Sequence, residues 1–217
     1  MPHTAIEQVL SPGRFSTYRN AVITSKGSDC PSTALNLYEW NAELSGQLLF
    51  PLHIYEVVLR NTISEAISQR YGPDWPTNTV FQNSLPRKER SDLLSLVTPY
   101  QGLGKVLPEL KLYWFESMLT RRHDGRIWKP YIHSVFPNAG GSSAIAATAL
   151  RSQLNTQCRT IRKLRNRIAH HEPIFNQPTL ASILPYIQTA VGFRCATTLS
   201  WLNSREQVSP LLSRPVV

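Results

Sequence analysis

Carboxylates are scarce in this chain. Fourteen Asp and Glu face 23 Lys and Arg over 217 residues, leaving a formal net charge of +9 and a pI near 9.8. That balance favours a polyanionic partner, nucleic acid first and an anionic membrane second. Cysteine is equally sparse: Cys30, Cys158 and Cys195 are odd in number and far apart. Such a trio supports neither a disulfide framework nor a cysteine-rich zinc site, and it suits a reducing cytoplasm. The N-terminal "MPHTAIEQVLSPGRF" lacks a basic segment followed by an apolar core, and no apolar run reaches the roughly eighteen residues of a membrane span. A cytoplasmic protein that does not enter a membrane is expected. Also missing are a Gly-rich phosphate loop, a nucleophile elbow and a standout pair of carboxylates, so none of those chemistries is indicated and no cofactor is expected. Strand alternation, heptads, solenoid-length repeats and low-complexity tracts are absent as well.

What is present is a globular composition, 41% hydrophobic with five Trp, eight Tyr and seven Phe. One all-α domain is expected over residues 1–217, with a core over about 8–203 and a frayed tail over 204–217. Ser11 and Pro12 read as the start of a first helix carrying Phe15, Tyr18 and Val22. Leu37, Trp40, Leu44 and Leu48 share one helical face, and Leu52, Tyr55, Leu59, Ile63 and Ala66 share another that runs to Gly72. Pro51 between them either starts the second helix or kinks a longer one. Residues 72–83 read as a connection, and the next helix starts after Ser84 and carries Leu93, Leu94 and Val97. "TPYQGLGKVLP" reads as a loop before the amphipathic "ELKLYWFESMLTRRH", and residues 121–143 are less regular. From Ser142 or Ser143 a long helix is expected, with Leu150, Leu154, Ile161, Leu164 and Ile168 buried. The last third reads as one helix broken or kinked at Pro185.

The end of the long helix, "LRNRIAHHEP", crowds arginines and histidines before Pro173. Steps of four residues advance about 40° beyond a full turn, so Arg162, Asn166 and His170 form one stripe and Lys163, Arg167 and His171 the next. Arg165 lies on the flank opposite His170. The two meet if the last turn unwinds, if the arginine reaches around, or if a second chain packs along the same seam. Basic residues suit the negative end of a helix dipole, but the dipole alone does not account for Asn166 one turn before His170. Adjacent histidines point about 100° apart and Glu172 is not spaced as in H-E-x-x-H, so no metal is expected.

These residue types do suffice for RNA chemistry. A 2′-OH attacks the adjacent phosphate once a base takes its proton, an acid protonates the leaving 5′-oxygen, and a cation holds the charge between. Imidazole titrates near neutrality and guanidinium stays charged.

"RNRIAH", Arg165-Asn166-x-x-x-His170, resembles the R-x(4–6)-H signature of HEPN-domain ribonucleases. With "LYEWNAELSGQLLFPLHIYEVVLRN" upstream and "LRNRIAHHEPIF" downstream, the chain is similar to the Abi-like (abortive infection) branch over roughly residues 8–203. Trp128 and Trp201 sit where such proteins are expected to carry aromatics. The resemblance implies a HEPN-type helical bundle with additional helices. It also implies metal-independent endoribonuclease action leaving a 2′,3′-cyclic phosphate, a site shared across a homodimer, and a role in phage defence or as a toxin. A regulatory partner such as an antitoxin belongs to that picture. On this resemblance Arg165 is the phosphate-binding cation, His170 or His171 the acid or base, and Asn166 the residue that orients them. Glu56 is a candidate for a carboxylate that orients the site, a solvated helical Glu being the other reading. Arg159, Arg162 and Arg167, with Arg121, Arg122 and Arg126, would draw in the phosphate backbone, and Trp128 and Tyr131 either stack on bases or sit between helices as core. The alternatives are a non-catalytic HEPN-like module that binds RNA or protein, and a helix end serving oligomerisation alone.

Overall fold

The fold comes from a computed structural model in which residues 2–214 are described. Twelve α-helices and no strand occur among them. The chain is all-α, as its periodicity predicts.

α1 (Pro2–Leu10) precedes α2 (Pro12–Lys26), where the Ser11 side chain accepts from the Arg14 N–H at 3.3 Å and Pro12 occupies the first turn. Phe15, Tyr18 and Val22 are buried against α3 (Pro31–Tyr71), which is 41 residues long and runs unbroken through Pro51. Of the two readings of Pro51, the longer helix holds. A missing N–H removes one helical hydrogen bond, and the apolar face on both sides of it offsets that loss: Leu37, Leu44, Leu48, Leu52, Tyr55, Leu59 and Ile63 are each at most 2% exposed. α3 is the spine that α7, α8, α9 and α10 pack upon.

Two segments read as connections hold helices. α4 (Thr79–Ser84) is capped by Asn78, whose side chain accepts from the Phe81 N–H at 3.0 Å, and α6 (Leu103–Glu109) buries Val106. Both are under eight residues, too short for periodicity to declare. α5 (Arg87–Leu94) carries buried Leu93, but Leu94 is largely exposed and Val97 lies beyond the helix end. α7 (Leu112–Met118) and α8 (Lys129–Val135) flank an irregular stretch of 3-10 and π turns over residues 121–128.

α9 (Ala144–Ala169) starts at Ser143, whose hydroxyl accepts from the Ala146 N–H at 3.1 Å, and it buries the five expected apolar residues. α10 (Leu180–Arg194) passes through Pro185 without a break. The interruption falls instead at Cys195, in extended conformation, before α11 (Ala196–Asn203). The tail does not fray as expected over its described part. α12 (Val208–Leu212) buries Val208 and Leu211, and the Trp40 indole donates to the Leu211 carbonyl at 3.0 Å. The last three positions of that tail, 215–217, lie outside the described residues.

Candidate functional site

The helix end that carries the signature is a closed turn. The His171 N–H donates to the Ile168 carbonyl at 3.0 Å and the Glu172 N–H to the Arg167 carbonyl at 2.8 Å, which is a Schellman-type stop around His170. His171 occupies the left-handed position, with φ 54°, that glycine usually takes; α2 puts Gly27 there, at φ 71°. Two outside contacts hold the turn. Arg14 donates to the His171 carbonyl at 2.7 Å, and the buried Asn41 carboxamide oxygen on α3 accepts from the Ile174 and Phe175 N–H groups at 2.8 and 3.1 Å.

Arg167, expected to meet RNA, is a brace for this turn. Its Nε and one terminal nitrogen donate to the Pro173 carbonyl at 3.0 and 2.8 Å, and the other lies 2.9 Å from the Glu172 carboxylate.

Arg165 is different. Its Nε donates to Glu56 Oε1 at 3.0 Å, and the other Glu56 oxygen accepts from Arg60 at 3.0 Å. One carboxylate, 12% exposed, thus joins two guanidiniums from α3 and α9. Glu116 on α7 does the same one turn earlier on α9, accepting from Arg162 Nε at 2.5 Å and Arg159 Nε at 3.3 Å. Its hydrogen bond holds the Arg162 guanidinium above its ordinary pKa. The Arg60 guanidinium also lies 5.8 Å from the Phe115 ring centre, within cation–π range.

Arg60 and Arg165 form a ridge between two cavities. One, of about 310 Å³, is also lined by Lys111, Arg162 and Asn166; the other, of about 330 Å³, by His53, Glu56 and Val57. Sequence reasoning had not pointed to Arg60, Lys111 or His53. The only local signal was the spacing of His53, Glu56 and Arg60 along one helix face. A third cavity, of about 370 Å³, holds His171 beside Tyr18, Tyr38 and Asn41. His170 is exposed and lines none of these three. Within one chain, then, Arg165, Asn166 and Glu56 come together, and neither His170 nor His171 shares a cavity with Arg165.

No family model, curated protein or solved structure matches this chain. The site rests on its own geometry.

The second arginine group is not brought to it. Asp124 pairs with Arg151, fourteen residues before Arg165 and so about 21 Å back along α9. Near Asp124, Arg122 donates to the Ser84 carbonyl at 3.1 Å, Arg126 sits 3.3 Å from His123 Nδ1, and Arg121 is exposed. Trp128 does not face solvent: it is fully buried, and its indole donates to the Met118 carbonyl at 2.7 Å, which makes it core rather than a base-stacking platform. Tyr131 is half-buried, and Trp201 is 47% exposed against Phe50. No group of three or more His, Cys, Asp or Glu suited to a metal occurs among the described residues, and no described helix is long and apolar enough to cross a membrane. Burial pushes the Cys158 thiol, behind Tyr55, up to about 12, which removes it as a nucleophile.

Proposed function

We propose that this protein is a cytoplasmic, metal-independent endoribonuclease of the Abi-like HEPN type, acting in abortive-infection defence or as a toxin under a regulatory partner. The observation that carries the reading is the Glu56 bridge. It fixes the Arg165 guanidinium through Nε and leaves both terminal nitrogens without a described partner, beside cavities open to a substrate. A guanidinium held this way is preorganised for the doubly charged phosphorane-like state formed as a 2′-OH attacks. Asn166 offers an amide to the same cavity. His170, exposed at the helix end, exchanges the protons, taking one from the 2′-OH or delivering one to the 5′-oxygen.

Because His170 and Arg165 line no common cavity, the proposal has a two-fold partner supply the histidine, so that each cleft draws on both chains. The same separation favours the runner-up, a binding module that does not cut. Arg159 and Arg162 extend the cationic surface, and Arg121, Arg122 and Arg126 would meet only flanking backbone.

The test is incubation of the parent, Arg165→Ala and His170→Ala with single-stranded and transfer RNAs in excess EDTA, reading product termini. Cleavage by the parent alone, with cyclic-phosphate ends, supports the enzyme. Mixing the two variants should restore roughly a quarter of the activity through mixed dimers. Equal RNA binding by all three with no cutting moves the binding module ahead.

A further inference from the structure

We propose that the cavity walled by Arg60, Lys111, Arg162 and Arg165 is a subsite for one backbone phosphodiester of the RNA, set beside the bond that is cut, with Arg165 on the ridge dividing its two outer nitrogens between that diester and the phosphate under attack. It rests on the ribonuclease reading for the identity of the strand, though not for the binding chemistry. The cavity measures about 310 Å³, and its four cations come from α3, from the connection into α7 and from α9.

Three observations converge on a phosphate group. Glu116 and Glu56 each hold an arginine by Nε alone, so the outer nitrogens of Arg162 and Arg165 donate to no described residue. Outer nitrogens fixed in this way pair well with phosphate oxygens. Lys111, exposed at the start of α7, makes no described ion pair and adds a point charge to the lining. Five cations, Arg159 with the four in the wall, stand against Glu109, Glu56 and Glu116, so the cavity keeps a positive surplus for an anion. On the ribonuclease reading that anion is a diester of the strand. Tyr113 also lines the cavity, with the Lys88 ammonium 4.1 Å from its ring centre. Burial first, then the hydrogen bond to Glu89, holds the Tyr113 phenol well above its ordinary pKa, so it presents an uncharged ring.

The test uses a dye-labelled single strand with every 2′-OH methylated, which keeps the diesters and removes the nucleophile. Its anisotropy is followed across a salt series. Lys111→Glu should weaken binding roughly tenfold and flatten the slope of log K against log salt by about 0.7. Lys129→Glu, the same charge change at an exposed site on α8, should leave both within about twofold. Equal behaviour of the two variants overturns the subsite, as does a parent that does not bind the strand. Displacement of the strand by inorganic phosphate at low millimolar concentration overturns the diester assignment. The two readings separate cleanly. A parent that binds through Lys111 but cuts no unmodified RNA retains the subsite and loses the nuclease, whereas a parent that cuts while Lys111→Glu binds normally does the reverse.

Discussion

The two ends of α9 use the same chemistry, an arginine against a buried carboxylate, for different ends. At the start, Arg151 gives Asp124 its whole fork, Nε to Oδ1 at 2.8 Å and a terminal nitrogen to Oδ2 at 3.1 Å, with both side chains near 12% exposed. At the finish, Arg162 and Arg165 each give one bond, from Nε, and keep their outer nitrogens on a cavity. The first arrangement is bidentate and ties the irregular 121–128 stretch to the bundle. The second is braced but unsatisfied, which is the state in which a cation can still bind a ligand. Counting arginines does not separate the two; counting the bonds each gives its carboxylate does.

The comparison breaks most sharply at Arg165 and Arg151. On the proposed ribonuclease mechanism, Arg165→Ala should lower RNA cleavage by about a thousandfold, since it would remove the transition-state cation. Its melting temperature should stay close to that of the parent, because Arg60 still holds Glu56. A matching loss of folding would make Arg165 another structural brace. Arg151→Ala should do the opposite, costing roughly 3–5 kcal/mol in denaturant unfolding by stranding Asp124, 8% exposed, without its partner.

Histidine divides the same way. In the irregular stretch next to Asp124, burial first, then Arg126 and Arg122, pushes His123 down to about 4. Its folded pKa thus lies below the ordinary 6.5, and as pH falls the unfolded chain takes up the proton first. Stability from this group is complete above about pH 6.5 and is lost progressively toward pH 4, by about 3 kcal/mol in all. Stability measured across that window should fall less steeply in His123→Gln, and an unchanged slope would remove this group from the account. At the C-terminal end of α9 His170 and His171 are exposed.

The smallest effect sharpens the choice between them. His171→Gly should stabilise the chain by about 1 kcal/mol, since glycine accepts φ 54° without strain. Cleavage should persist if His170 is the acting residue, and its loss would reassign the role to His171.

Much of this was legible in the chain itself. The long helices declared themselves because fifteen or more residues let an apolar period repeat, and Leu150, Leu154, Ile161, Leu164 and Ile168 are buried as their spacing predicts. Ser11 and the pair Ser142–Ser143 marked helix starts because a capping hydroxyl acts locally, and the structure picks Ser143 of the pair. Helices of six or seven residues were missed at 79–84 and 103–109, and Val208 and Leu211 were misjudged as tail, because burial of so short a face depends on what packs against it. Trp128 was ambiguous for the same reason.

The chain by itself determined an all-α spine, the place where α9 ends and the concentration of arginine there. No carboxylate occurs between Asp124 and Glu172, so it could not say which arginines would be neutralised. Tertiary structure decided that by bringing Glu56 across 109 residues to Arg165 and Glu116 across 46 to Arg162. Local sequence sets the helical period through neighbouring backbone and side-chain contacts. Which charges stay unspent is set by packing distant helices, because an ion pair depends on distance in space and not on separation along the chain.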